Sequence, residues 1–206
     1  MTANTSASGG YLAPSSTAPL YDGSFDQFLQ AVIVGITGLT GPLVRPRWQE
    51  TPPVQPARST DWCAFGVYEI EAGDNADIRH ISTSDGSSQL VRMEKVKILV
   101  SMYGPDAMAL GARFRDGLWI SQNREVMILA GVTLHDVGVL ISAPELVNDK
   151  WLNRADLEIH LSRSVGRVYP ILNLLSAEGT IVADLQTVYG GGVDTMPWET
   201  PQPVTP

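Results

Sequence analysis

Val44-Arg45-Pro46-Arg47-Trp48-Gln49, then Thr51-Pro52-Pro53-Val54-Gln55-Pro56, then Thr60-Asp61-Trp62-Cys63-Ala64-Phe65-Gly66-Val67: this stretch decides how the chain is read. Two short runs of strand character, each with a tryptophan, flank a connector stiffened by Pro52, Pro53 and Pro56. Proline locks φ and removes a donor, so the link is extended and nearly rigid. It sets the spacing of the two strands before any tertiary contact forms. The first strand is predicted over Leu43 to Gln49. Pro46 at its centre cannot donate to a ladder, which predicts a sheet edge or a bulge. Arg45 and Arg47 share one face of it, and Val44 and Trp48 share the other. The second strand, Trp62 to Glu71, is rich in aromatic and β-branched residues.

Upstream, Phe25, Phe28, Leu29, Val32, Ile33, Ile36 and Leu39 recur at helical spacing. They predict a helix opened by a Ser24/Gln27 capping box and ended by Gly38, Gly41 and Pro42. Downstream, the polar segment from Glu71 to Gln89 reads as a long hairpin loop, and Leu90 to Tyr103 as a third strand with Val96, Ile98, Val100 and Met102 on its buried face. Gly104-Pro105-Asp106 starts a second helix, with Pro105 in its first turn. Ala107, Leu110, Phe114 and Leu118 form its buried stripe. A break at Ser121 to Asn123 precedes a short helical turn, Arg124 to Ala130, closed by Gly131. Val132 to Leu140 and Ala155 to Val165 read as strands; the second alternates Ala155, Leu157, Ile159 and Leu161 with polar residues, as in a strand wet on one side. Ile171 to Leu175 and Thr180 to Ala183 are expected to pair as a terminal hairpin around Glu178-Gly179. The element order predicts an α+β domain: a single, mostly antiparallel sheet with two main helices on one face and extended arms at either end. The expected division is an N-terminal arm over 1–23, the domain over 24–188 and a Pro/Gly-rich tail over 189–206.

Composition narrows the class. Of 206 residues 44% are apolar, enough for a core, and only 17% are charged, against roughly 25% in an average globular protein. A surface short of charge suits coverage by other subunits. The net charge of -8 argues against nucleic-acid affinity, which rests on basic neutralisation of phosphates. The lone Cys63 excludes an internal disulfide and fits a reducing compartment. No run reaches the length of a membrane span and no signal-peptide pattern opens the chain, so a soluble protein made in a cytoplasm is expected.

The search for chemistry finds little. His80, His135 and His160 lie far apart, without metal-ligand spacing. Cys63 lies within a strand with nothing beside it to lower its pKa, and reads as a buried, inert thiol. There is no G-x-S-x-G elbow, and Gly190-Gly191-Gly192 has neither the lysine nor the helix of a phosphate loop. No catalytic, cofactor or metal residue is expected. Trp48 and Trp62 read either as core packing across neighbouring strands or as interface anchors. Residues 1–23, mostly Ser, Thr, Ala, Gly and Pro, read either as a disordered tail or as an arm that orders against another subunit through Tyr11, Leu12, Leu20 and Tyr21. Glu71, Asp74 and Asp77 form an acidic loop, either simply solvated or lining an opening or a partner.

Arg45-Pro46-Arg47-Trp48-Gln49, Pro52-Pro53, Pro56 and Thr60-Asp61-Trp62-Cys63-Ala64-Phe65-Gly66 together resemble the neck and tail-terminator proteins of long-tailed bacteriophages. The looser likeness in element order runs from Ser24 to about Asp184. The resemblance implies a structural virion protein without a cofactor: a ring, usually a hexamer, on top of the tail tube. Such a ring stops tube polymerisation, meets the tube protein on one side and the head-side connector on the other, and lets genomic DNA pass without sequence-specific binding. It implies location in the virion neck after assembly in the host cytoplasm. Arg45, Arg47, Trp48, Trp62, Tyr11 and Tyr21 are then the interface candidates, and Glu71, Asp74 and Asp77 the lumen or partner-facing loop. The competing expectations are another head-tail adaptor or tube-like subunit, and a hydrolase using Cys63 or His135.

Overall fold

The computed structural model describes residues 4–51, 53–147, 149–174, 178–183 and 194–199. Helix α1, Asp22–Thr37, buries Phe25, Leu29, Ile33 and Thr37, one residue per turn on a single stripe. It starts earlier than the sequence suggests. Ser24 is its third residue, not its cap: the Tyr21 N–H donates to Ser24 Oγ at 3.2 Å, and that hydroxyl donates back to the Tyr21 carbonyl at 2.7 Å. Gly38, with φ 78°, ends the helix in the left-handed conformation that favours glycine.

Strand β1 is only Val44–Pro46. Leu43 belongs to a 3-10 turn over Gly41–Leu43, and Pro46 ends the ladder, with one further bond from Arg47 N–H to the Phe65 carbonyl at 2.7 Å. The edge position expected from Pro46 is found. The direction is not the majority one: β1 runs parallel to β2, Trp62–Ala72, because the proline-rich connector carries the chain back before the second strand begins. β2 pairs antiparallel with β4, Ser87–Tyr103, with a bulge that leaves Tyr68 unmatched. The loop expected over 71–89 contains a strand of its own, β3, Asp77–Ile81, because the early start of β4 at Ser87 supplies it with a partner.

Helix α2, Ala107–Gly117, presents Ala107, Leu110, Gly111 and Phe114 to the core. It begins after Pro105 rather than at it: Asp106 is the N-cap, with non-helical φ -102° and ψ 22°, and its N–H donates to Asp61 Oδ1 at 2.9 Å. Gly104 makes that contact possible: its φ is 114°, and a Cβ there would stand 2.3 Å from Asp61 Oδ1 and 2.7 Å from Asp61 Cα. Helix α3, Ser121–Leu129, has no break at its first residues. Ile120 is extended and its carbonyl accepts the Arg124 N–H at 3.1 Å, so the interruption falls before Ser121. β5, Val132–Val137, is followed by the short strands β6, Ile141–Ser142, β7, Glu145–Val147, and β8, Lys150–Leu152. β9 runs from Arg154 to Tyr169 and pairs with β4 along nearly its whole length, from Tyr103↔Arg154 to Ser88↔Tyr169. The expected hairpin with Ile171 is not formed. Residues 171–174 carry no strand, and β10, Glu178–Ala183, pairs instead with β11, Asp194–Glu199. Leu175 lies outside the described residues.

The main sheet has the order β1-β2-β4-β9-β5, with β3 beside β4 and β6 beside β9, and is antiparallel except at β1. The three α-helices among the described residues lie on one face. There Val96, Ile98, Val100 and Met102 of β4 and Ala155, Leu157, Ile159 and Leu161 of β9 meet Phe25, Leu29, Ile33, Phe114 and Met127. The fold is therefore the α+β arrangement that the element order predicts. The opposite face is bare over much of its area. At one end the β7–β8 hairpin covers it, packing Leu152 and Val147 on Ala64, Tyr103 and Trp62. Among the described residues no helix is long and apolar enough to cross a membrane.

Candidate assembly interface

The signature residues mostly hold the molecule together. Half-buried Arg45 braces its neighbourhood, donating from Nε to the Pro42 carbonyl at 2.7 Å and from Nη1 to the Val54 carbonyl at 2.8 Å. Arg47 reaches across the bare face: Nη2 donates to Ser101 Oγ, and Ser101 donates to Asp156 Oδ1. Asp156 also accepts from Arg154 Nε at 2.8 Å, and Arg154 pairs with Glu145. The chain Arg47–Ser101–Asp156–Arg154–Glu145 thus ties the connector, the two central strands and the β7–β8 hairpin together. Trp62 lies flat on Tyr103, centroids 4.2 Å apart and planes at 9°, with the Arg154 guanidinium 5.7 Å from the same tyrosine ring. Cys63 is fully buried, and burial pushes its thiol pKa well above the ordinary value against a smaller opposing pull from Arg47. Burial thus favours the neutral thiol over the thiolate.

Other candidates are presented outward. Trp48 is 65% exposed and lies across Gly66, where a Cβ would stand 2.5 Å from its ring. Tyr11 is 99% exposed. The segment carrying it follows the end of β9 and the residues after it through polar bonds: Ser15 N–H to the Val168 carbonyl at 2.7 Å, Val168 N–H to Ser16 Oγ at 3.1 Å, and Leu172 N–H to Ser6 Oγ at 2.8 Å. Tyr21 is where this segment is fastened. Its hydroxyl donates to Glu94 Oε1, and burial together with that carboxylate raises the hydroxyl's pKa. Glu94 receives Arg163 Nε at 2.9 Å, and the Arg163 guanidinium lies 4.3 Å from the Tyr21 ring and 4.7 Å from the Phe25 ring. Arg163 also donates to the Leu20 carbonyl. Glu94 and Arg163 went unnoticed in the sequence, although alternation through Leu161 and Val96 puts both on the core face. A charge at a core-facing position was the available signal.

The acidic loop is less acidic in space than in sequence. Glu71 accepts from Lys97 Nζ at 2.8 Å, which holds its carboxyl below the usual range. Asp77 pairs with Arg79 at 2.8 Å. Asp74 is exposed and, of the three, has no ion-pair partner among the described residues. The structure brings Tyr21 and Trp48 together on one groove, while Tyr11 and the acidic loop take no part in it. His160 Nε2 lies 2.7 Å from Glu158 Oε1, and His80 Nε2 lies 2.8 Å from Asn173 Oδ1. Among the described residues no group of His, Cys, Asp and Glu is placed to hold a metal ion.

Apolar side chains also stand exposed in two separate places. Trp119, Ile120, Val126 and Leu129 mark the α2–α3 corner and the outer side of α3; Leu146 and Trp151 face outward together from the β7–β8 hairpin. The first patch lies on the helical side of the sheet and the second on its other side.

No curated protein matches the chain. A family model described as phage neck terminator protein matches residues 24–184, which takes in all of α1 but its first two residues, α2 and α3, the signature stretch and every strand of the main sheet. With a family match over most of its length and an α+β fold, the chain belongs to the phage neck terminator family, structural proteins of the virion neck.

Proposed function

We propose that this protein is the ring-forming terminator of a phage tail: copies close into a ring, six-fold by resemblance, that stops the tail tube growing and receives the head-side connector. The observation that carries the reading is the family match over residues 24–184. Two features support it. Exposed apolar patches at Trp119–Leu129 and Leu146–Trp151 lie on different sides of the sheet, the arrangement that head-to-tail contacts in a closed ring require. The signature residues brace the fold instead of converging on a reactive group, and the one thiol is sealed. The working contacts are with the protein's own copies, the tube protein and the connector, and DNA passes without being read. Assembly takes place in the host cytoplasm and the product resides in the neck.

Particle imaging of the purified protein, alone and with tail tubes, tests this. Six copies at the tube end are expected. Twelve copies seated on a portal would favour the second reading, a head-side adaptor. Turnover of a small substrate that is lost in Cys63→Ala or His135→Ala, with assembly intact, would point to an enzyme instead.

A further inference from the structure

A groove of about 310 Å³ lies between the first turn of α1 and the outer edge of β2. Tyr21, Phe25, Trp48 and Tyr68 contribute to its lining; the Arg163 guanidinium already lies over the Tyr21 and Phe25 rings, at 4.3 and 4.7 Å. Asp22 and Asp26, one helical turn apart, add their carboxylates. Other charges at the groove are already matched. Arg163 is 2.8 Å from Glu94, and Glu69 is 2.9 Å from Lys97. Asp22 and Asp26 have no cation within ion-pair distance among the described residues. Burial, and then the charge of Asp22, raise the Asp26 carboxyl pKa, as expected of an anion that lacks a counter-charge.

The groove also borders an open strand edge. β1 pairs only with Cys63 to Phe65, and among the described residues no strand pairs with Val67 to Ala72 on the side away from β4. Unpaired edges of this kind accept an added strand, whose backbone supplies affinity and whose alternate side chains supply specificity. A side chain entering here meets the exposed Trp48 ring and the carboxylates of Asp22 and Asp26. That combination suits a guanidinium, which stacks on a ring and donates two parallel N–H bonds to a carboxylate, as a lysine ammonium does not.

Building on the assembly reading above, we propose that this groove receives an arginine from an extended segment of a different virion protein that docks on the neck. Charge favours a different protein over a second copy. The chain carries a net -8 and only 14 lysines and arginines. Among them only Arg92, Lys95 and Lys150 have no carboxylate, hydroxyl, carbonyl or aromatic partner among the described residues. Of these only Arg92 is an arginine, and it sits within the central strand β4; the exposed pairs Arg79–Asp77 and Arg115–Asp116 would have to open before a neighbouring copy could offer its arginine.

The probe is a fluorescent hexapeptide of alternating threonine and valine with one central arginine, compared with the same peptide carrying citrulline. Anisotropy is read with the full chain and with the double variant Asp22→Asn/Asp26→Asn. The arginine peptide is expected to bind, the citrulline peptide at least tenfold more weakly, and the double variant to lose tenfold or more while keeping its circular dichroism and its particle size. Equal binding of the two peptides, absence of binding, or unchanged binding by the double variant would overturn the proposal. A change in copy number in the double variant would also overturn it, by naming a second copy as the occupant. Failure of the ring reading shows separately, as a wild-type chain that stays monomeric whatever the peptides do.

Discussion

Arg163 occupies a position that alternation reserves for an apolar residue, and it survives there because Glu94 lies directly across the ladder. Removing one member of a buried pair strands the other's charge, which costs about 3–5 kcal/mol. Arg163→Ala should lose that much in urea unfolding, and Arg163→Met/Glu94→Gln should recover a good part of it. Release of Tyr21 and of the segment before it should accompany the single change. Cys63 gives a second residue-scale expectation. Its folded-state pKa is raised above the ordinary 9.0, so the unfolded chain releases this proton first. The stability that Cys63 contributes is whole below pH 9.0 and falls as pH rises past it, by up to about 1.4 kcal/mol per pH unit. Cys63→Ala should lack that alkaline loss, and the native thiol should resist iodoacetamide until urea unfolds the chain. Trp62 is only half-buried, so Trp62→Ala should cost about 2–3 kcal/mol in the same unfolding assay. That is below the range for sealed aromatics, part of it coming from the stack on Tyr103.

Among the elements, two glycines separate rigid from yielding contacts. At Gly66 an added methyl meets the outer edge of an exposed Trp48 ring, which can swing away; at Gly104 it meets the backbone of Asp61, with φ at 114°. Gly104→Ala should therefore destabilise by more than about 2 kcal/mol and disturb the start of α2, whereas Gly66→Ala should cost little and chiefly displace Trp48. Thermal melts and tryptophan emission would show the contrast. The elements themselves were largely readable in the sequence. Phe25 to Leu39 and Ala107 to Leu118 have unambiguous helical spacing, and Val96 to Met102 and Ala155 to Leu161 alternate cleanly, because each packs one face on the same core. What was not readable depends on pairing between distant segments. β3 forms only because β4 begins at Ser87, and β10 pairs with Asp194–Glu199 across a long span of chain. β1 is parallel because of the path of the connector, which local spacing does not encode. The groove was missed for the same reason: Asp22 and Asp26 read as ordinary first-turn acids until the fold places Trp48 and Tyr68 beside them.

At the scale of the whole molecule, a sheet with helices on one side leaves its other face and two apolar patches to be covered by something outside the chain. In the proposed ring the neighbouring copies, the tube and the connector cover them. The segment before Tyr21 is held by serine and backbone bonds, with no buried side chain before Phe25 among the described residues, so deleting residues 1–19 should leave the fold intact and weaken assembly. The most direct measurement is the length of tubes grown from purified tube subunits as this protein is added. Capping predicts that tubes stop lengthening once each end has bound its ring, with the final length falling as the ratio of protein to tube subunit rises. Tube lengths that do not respond, with the protein remaining monomeric in solution, would contradict it.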